Sequence, residues 1–316
     1  MKAITYSRYG GPEVLALKEI DAPVPGDSEL LIRVHALSIN PYDWHFMRGT
    51  PYFMRIASGL LHPKKAVLGN DVAGIVEAIG KDVTKFTIGD RVVGAAGLGG
   101  MAEYATIGEN NAVQISDNIP MNEASALNIA AITALDAVKK YAGVKKGQSV
   151  LVNGASGGVG HYCIQIAKAS GAHVTGVCSA RNIEMVRALG ADEVIDYTAG
   201  KWIGNTVYDA VIDVVGNLSP KDLEQLCHRE GRIAVVGYQN MSRLFSIVLR
   251  SFYGKPRLEM VTIKETQKEI SEVLEMAASR KLTTVIDKVY SLQDAAEAMR
   301  YLEKGHARGK VIIEVP

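Results

Sequence analysis

The residues best suited to chemistry lie in GQSVLVNGASGGVGHYCIQIAK, where an apolar strand runs into Gly154, Gly157 and Gly160 and a helix starts at once. Glycine is needed where the strand turns sharply, where backbone must approach a pyrophosphate, and where the helix packs on the sheet. The helix start then offers free N–H groups and the positive end of a dipole to the phosphates. Strand, loop and helix in this order predict a bound dinucleotide rather than a ligand-free turn.

Cofactor choice is legible at the end of the second strand, VTGVCSARN. Enzymes that use NAD usually carry an Asp or Glu there to bond the ribose hydroxyls. This chain has Ser179, Ala180, Arg181 and Asn182, and no acid before Glu184. A guanidinium binds a 2′-phosphate with charge-assisted, often bidentate hydrogen bonds, which a carboxylate would repel. The prediction is NADPH over NADH. The bland alternative, a solvated Arg at a helix start, is disfavoured by the dipole. Tyr197, closing EVIDY, fits the adenine side and simple core packing equally. Gly154, Gly158 and Gly160 also fit a short-chain reductase spacing, and Tyr141 and Lys145 form a Tyr-x-x-x-Lys. That pair precedes the loop instead of following it, so the order rules out this reading.

These residues need elements to hold them. After Pro120, strands and helices alternate: Ser149–Asn153, helix Val159–Ala169, Val174–Cys178, helix Ile183–Leu189, Glu193–Asp196, Ala210–Val215, helix Pro220–Cys227, Arg232–Val236 and Arg257–Ile263. Alternation of this kind specifies a parallel sheet with helices on both faces. An Ala-rich stretch, Met121–Tyr141, reads as one helix leading in. Before it lie short strands with frequent Gly and Pro, such as ELLIRVHALS, VAGIVEAIG and GDRVVG, which suit a barrel-like β-domain. A helix with Ile270, Val273, Leu274, Ala277 and Ala278 on one face and a last strand, KVIIEV, follow. A strand after the nucleotide domain implies that the chain returns to the first domain. The expected domains are 1–120 with 264–316, and 121–263 inserted.

Composition agrees. A chain of 316 residues exceeds one typical core. Hydrophobic residues at 47% and charged residues at 22% are ordinary for a globular protein. With 35 Lys plus Arg against 34 Asp plus Glu, the net charge of +1 gives no field for nucleic acid or anionic membranes. No apolar run reaches membrane-spanning length, and MKAITYSRYGGPEVL has no signal core. Three unclustered cysteines, Cys163, Cys178 and Cys227, read as buried thiols in a reducing compartment. The expectation is a cytoplasmic protein.

INPYDW, LGNDVAGIVEAIG, FTIGDRVVG, GGMAEYA, AAITALDAV, GASGGVG and GADEVIDY together resemble the quinone oxidoreductase branch of the medium-chain dehydrogenases/reductases. ARNIEMVRALGADEVIDY and the tail KLTTVIDKVYSLQDAAEAM with GHARGKVIIEV look closest to the chloroplast-envelope quinone oxidoreductase homologues and alkenal/one oxidoreductases. The resemblance implies a GroES-like β-domain, an inserted Rossmann domain, a cleft between them and commonly a homodimer. It would place Asn40 and Thr133 near the nicotinamide, and Gly157, Gly158 and Val159 at the pyrophosphate. Ser179 and Arg181 would take the 2′-phosphate. Val215, Gly216, Val236, Gly237 and Tyr238 would line the adenine and nicotinamide-ribose positions, and Gly309 and Lys310 would reach the cofactor from the tail. Zinc-binding members carry Cys and His where this chain has Asn40 and Asn70, and a four-cysteine lobe that is missing here. Zinc sites need thiolate, imidazole or carboxylate ligands, and the histidines show no ligand spacing. No metal is expected.

Without a Lewis acid, a quinone or enone is the easier substrate, because its accepting carbon is already electrophilic. The enzyme must then align hydride donor and acceptor and bond the developing oxyanion. Tyr42, just after Asn40, is the candidate oxygen-facing donor, with an apolar wall as its plain alternative. His45 stands where the superfamily has a proton-relay histidine, or it is a surface residue beside Trp44. Tyr52, Phe53, Met54, Ile56 and Leu60 form an apolar segment that either walls the substrate pocket or packs on the β-domain. An enoyl-thioester reductase is the rival enzyme. It would need a phosphate-binding patch, which Arg243, Arg250, Lys255 and Arg257 could supply, although that segment also reads as a solvated helix or as an amphipathic one touching a membrane or a dimer partner. A non-catalytic NADPH-binding redox sensor is the rival of another class.

Overall fold

The computed structural model describes residues 1–238, 241–252 and 257–316; Lys255 lies outside them. The chain divides into two units, Met1–Ile129 with Glu265–Ala278 and Ile286–Pro316, and Ala130–Lys264 with Ser279–Val285.

The first unit opens with an antiparallel pair, β1 (Lys2–Thr5) and β2 (Ala16–Glu19). Its main sheet starts from β3 (Glu29–Ile39). Alternation buries Leu30, Ile32 and Val34, and the run Ala36–Ile39 is then buried throughout. The helix α1 (Pro41–Arg48) follows directly, with Pro41 at the first position, where its missing N–H costs nothing. After the short α2 (Arg55–Ser58) come β4 (Asp71–Ile79), β5 (Arg91–Ala95), β6 (Tyr104–Gly108), β7 (Ala112–Gln114) and α3 (Met121–Ala126).

The second unit begins with α4 (Ile129–Leu135) and a π-helical turn at Asp136–Tyr141. Then β8 (Ser149–Asn153), α5 (Gly160–Ala169), β9 (His173–Cys178), α6 (Ile183–Ala188) and β10 (Glu193–Asp196) alternate. They are followed by β11 (Tyr208–Asp213), α7 (Pro220–Leu226), β12 (Cys227–Val235), α8 (Met241–Ser251) and β13 (Arg257–Met260). All neighbouring strands are parallel, in the order β10-β9-β8-β11-β12-β13. This is the doubly wound Rossmann arrangement, in which the strand order reverses between β8 and β11 and ligands bind beyond the strand ends at that switch. The central strands are apolar on both faces because helices cover both.

The chain then re-enters the first unit through α9 (Gln267–Ala278), β14 (Ile286–Ser291), α10 (Ala295–Glu303) and β15 (Lys310–Glu314). The strand β15 sits between β14 and β3, giving the order β14-β15-β3-β4-β5-β7, with β6 paired to the first half of β3.

Two expectations need correction. The stretch Met121–Tyr141 is not one helix: it breaks at Leu127–Asn128, where Asn128 and the N–H of Ile129 turn to the Asp71 carboxylate instead of continuing the helix. For the same reason the boundary falls later than residue 120, since α3 packs on β3 and β4. Residues Ser279–Val285 also join the nucleotide unit, where Gln165 bonds the backbone of Thr283 in both directions at 2.7 and 2.9 Å. No helix among the described residues is long and apolar enough to cross a membrane.

Candidate functional site

In the nucleotide unit the glycine loop leaves the end of β8 and enters α5. Gly154 adopts φ +86°, a left-handed turn where a Cβ would stand 2.6 Å from Val215. A Cβ on Gly160 would collide with the carbonyl oxygen of Gly154, so helix and strand approach more closely than any other residue allows. At Gly157 the nearest atom to such a Cβ is 3.5 Å away. The expected consequence is a contrast. Gly160→Ala should cost about 1–3 kcal/mol of stability through overpacking, whereas Gly157→Ala should stay within about 0.5 kcal/mol and act on nucleotide affinity. Denaturant melts with and without NADPH check both.

Beside the loop, Ser179 and Arg181 follow β9, with Ser179 half-buried and Arg181 exposed. Buried Asn182, which sequence reasoning passed over, donates to Ser156 Oγ at 2.9 Å and Ser179 Oγ at 3.2 Å, tying the glycine loop to the end of β9. Asp213, also unforeseen, ends β11 and accepts from Asn153 Nδ2 at 2.8 Å and from the Gly216 N–H at 3.0 Å, which fixes the turn carrying Val215. Burial holds its carboxyl above the usual range. The turn at Gly216 lies backbone to backbone against Gly237, so Val215, Gly216, Val236, Gly237 and Tyr238 gather at the same end of the sheet. Gly158 and Val159 are part-buried at the helix start, Thr133 is buried on α4, and Tyr197 is 48% exposed rather than packed in the core. Tyr141 donates to the Thr262 carbonyl at 3.0 Å.

The first unit builds a buried polar network. Register brings its parts together: Ser38 pairs Asp71 and Ile39 pairs Val311, so the end of β3, the start of β4 and the start of β15 meet. Asn40 donates to Asp71 Oδ2 at 2.8 Å and to the Ser38 carbonyl at 3.1 Å, and accepts from Lys310 Nζ at 2.5 Å. Asp43, in the first turn of α1, accepts the Asn40 N–H at 2.8 Å and the Gly69 N–H at 3.1 Å. Asn70 Nδ2 donates to Asp71 Oδ1 at 2.8 Å and to Glu265 Oε1 at 2.9 Å. Asn128 Nδ2 reaches the same two oxygens at 3.0 and 3.2 Å. Burial, then the nearby Asp71 charge, pushes Glu265 up to about 7. Burial likewise pushes Asp43 up to about 7, raises Asp71 and lowers Lys310. Sequence reasoning found Asn40 and Lys310 but missed Asp43, Asp71, Asn128 and Glu265 as a set.

Tyr42 is half-buried on α1, and burial plus the charges of Asp43, Glu265 and Asp71 pushes its hydroxyl up to about 12. His45 Nδ1 lies 2.7 Å from the Thr50 carbonyl, which can only accept, so Nδ1 carries the proton in the neutral ring. Burial lowers its pKa, and the ring stacks on Trp44 at 3.9 Å. Tyr52 and Phe53 are 72% and 55% exposed, so neither belongs to the β-domain core. Of the basic residues around α8, Arg250 pairs with Glu224 and Arg257 with Glu259, both at 2.6 Å, and Arg243 donates to the Asn217 carbonyl at 3.1 Å. The same helix exposes Met241, Phe245, Val248 and Leu249. Among the described residues no group of three or more His, Cys, Asp or Glu gathers as metal ligands.

The family model for an alcohol dehydrogenase GroES-like domain matches residues 26–117, and that for a zinc-binding dehydrogenase matches residues 189–313. The chain is 35% identical to the chloroplastic quinone-oxidoreductase QR1 of Triphysaria versicolor, over 99% of this chain and 98% of that protein. The chain belongs to the quinone oxidoreductase family of medium-chain dehydrogenases/reductases. Among solved structures, this family member is similar to the quinone oxidoreductase from Coxiella burnetii, at 31% identity and TM-score 0.88, covering 100% of this chain and 99% of that one. It is also similar to a mycobacterial protein solved in complex with NADPH, at 26% identity and TM-score 0.83, over 99% and 100% of the two chains.

Proposed function

We propose that this chain is an NADPH-dependent reductase that transfers hydride to quinones or α,β-unsaturated carbonyl compounds without zinc. The observation that carries the reading is the pair Asn40 and Asn70. Both side chains are amides already committed to the Asp71 and Glu265 carboxylates. Amides of this kind do not form the thiolate, imidazole or carboxylate set that zinc takes. A protein without a Lewis acid at this point serves acceptors that are electrophilic on their own.

Bound NADPH supplies the hydride. In this reading Gly157, Gly158 and Val159 hold its pyrophosphate, and Ser179 and Arg181 its 2′-phosphate. Val215, Gly216, Val236, Gly237 and Tyr238 line its adenine and nicotinamide-ribose positions, with Asn40 and Thr133 near the nicotinamide and Gly309 and Lys310 reaching the cofactor from the tail. The glycine backbone suits the pyrophosphate of either nucleotide, and the guanidinium is what favours this one over NADH. Tyr42, held protonated at neutral pH, donates a hydrogen bond to the oxygen that gains charge and does not yield its proton. His45, neutral and fixed by Thr50, keeps Nε2 as an acceptor. Tyr52 and Phe53 offer apolar surface to a flat acceptor. A homodimer in a reducing compartment completes the proposal. The buried thiols of Cys163, Cys178 and Cys227, raised by burial, support such a compartment.

The test follows NADPH oxidation with 9,10-phenanthrenequinone, a short alkenal and an enoyl thioester, before and after dialysis against a zinc chelator. Turnover should favour the first two acceptors and survive the chelator. Loss of activity on chelation would restore zinc to the mechanism. Tight NADPH binding without turnover of any acceptor would favour a redox-sensing protein.

A further inference from the structure

Reduction of a quinone or enone consumes a proton as well as a hydride, and neither Tyr42 nor neutral His45 is built to give one up. The polar network of the first unit holds three carboxylates, Asp43, Asp71 and Glu265. Among the described residues it holds one ammonium, Lys310, which bonds Asn40 and not Glu265. Buried charge without a partner is so costly that such groups retain protons instead. Asp71 and Glu265 are joined by a double clamp. The Nδ2 atoms of Asn70 and Asn128 each bond Asp71 Oδ1, at 2.8 and 3.0 Å, and each bond Glu265 Oε1, at 2.9 and 3.2 Å. Two carboxylates held this close through shared donors cannot both ionise freely, as in acid–base pairs that share one proton.

The two members differ in exposure. Asp71 is fully buried and also accepts from Asn40 and from the Ile129 N–H, bonds that favour its ionised form. Glu265, in the segment between β13 and α9, is only part-buried. The titratable groups facing it among the described residues are Asp71 on β4 with Asp43 and Tyr42 on α1, and none of these is a cation that would offset its charge. Solvent can reach it to restore a proton.

Resting on the reductase reading, we propose that the carboxyl pair Asp71 and Glu265, held side by side by Asn70 and Asn128, retains one proton between them, and that Glu265 carries it and delivers it to the oxygen of the reduced acceptor. Hydride brings two electrons to the acceptor carbon or quinone oxygen, and the acceptor's π electrons move to oxygen. The Glu265 O–H bond breaks as the new O–H bond forms, and the Glu265 carboxylate takes its next proton from water. Burial that pushes Glu265 up to about 7 keeps much of it protonated at neutral pH.

The experiment compares wild type with Glu265→Gln, which keeps an oxygen for both amides, and with Glu265→Asp. The first readout needs no NADPH: infrared difference spectra of the whole protein should show carboxylic-acid C=O intensity that titrates near pH 7, part of it from Asp43, and the part due to Glu265 should be lost in Glu265→Gln. The second readout is kcat against pH with saturating NADPH and 9,10-phenanthrenequinone. Wild-type kcat should fall as pH rises through about 7, because the acid form is the active one. Glu265→Gln should lower kcat at pH 6 by at least about tenfold and abolish that limb, with NADPH KM changed less than about twofold. Glu265→Asp should restore a limb. A Gln variant with wild-type kcat and pH profile, or titrating acid intensity that is the same in wild type and Glu265→Gln, overturns the proposal. Glu265-dependent acid intensity in a protein that turns over no acceptor overturns the reductase reading and proton delivery, and leaves the proton held by the pair standing.

Discussion

Replacing Lys310 with methionine is expected to destabilise the apoprotein by about 3–5 kcal/mol, the cost of stripping one partner from a buried charge network. Lys310 is 3% exposed, and its Nζ bonds Asn40 Oδ1 at 2.5 Å. It is also the cation whose charge favours ionised Asp71 and Asp43. Methionine fills the stem but leaves the Asn40 oxygen without a donor and the carboxylates without an ammonium. The loss should depend on pH. Asp43 and Asp71 already sit above their unfolded values, so they add stability that is fully present below the unfolded carboxylate range and is lost as pH rises through their folded values. Without Lys310 both move higher still. The penalty relative to wild type is therefore small near pH 5, where protons can replace the ammonium, and largest above pH 7. Urea denaturation across that range is the measurement. A penalty equal at both ends would mean that only packing was lost.

Arg181→Ala is expected to raise the KM for NADPH by about 10–100-fold and leave that for NADH nearly unchanged, the effect of about 1.5–3 kcal/mol for hydrogen bonds to a charged group. The guanidinium follows β9 in the segment whose Ser179 and Asn182 bond each other and the glycine loop. That fastening holds the backbone around Arg181 still, so less rotamer freedom is lost on binding a phosphate. Steady-state kinetics with both nucleotides separate a 2′-phosphate contact from general damage. An NADPH KM that rises less than a few-fold, or equal increases for the two, would remove Arg181 from the assignment.

Much of the nucleotide unit was legible because its signals are local. The loop from Gly154 to Gly160 announces its own turn, and Glu193–Asp196 was predicted to the residue, since short apolar strands between helices have few other uses. The polar network was not legible as a network. Asp43, Asp71, Asn128 and Glu265 are separated by tens of residues, and no periodicity links them. Two faint signals existed. Asp71 is a lone carboxylate opening the otherwise apolar run VAGIV, and Asn128 interrupts an Ala-rich stretch. A buried polar residue needs a partner, and those two are each other's, at 3.0 Å. The pattern Met121–Tyr141 read as unbroken helix because propensity does not know that a carboxylate 58 positions upstream will claim the helix's own N–H. Exposure of Tyr52 and Phe53 was equally out of reach, since an apolar run says nothing about which side of it meets water.

The placement of β15 bears on how the molecule is made. That strand sits between β14 and β3, so the sheet that begins at Glu29 closes only with some of the chain's last residues. On a ribosome, segments fold in the order they emerge, and every strand of the nucleotide sheet is complete before residue 261 appears. The finished Rossmann layer therefore waits, already assembled, while the earlier-born strands keep an open seam beside β3. Until Lys310 arrives, the acids gathered there have no ammonium to meet, and their protons stand in for it.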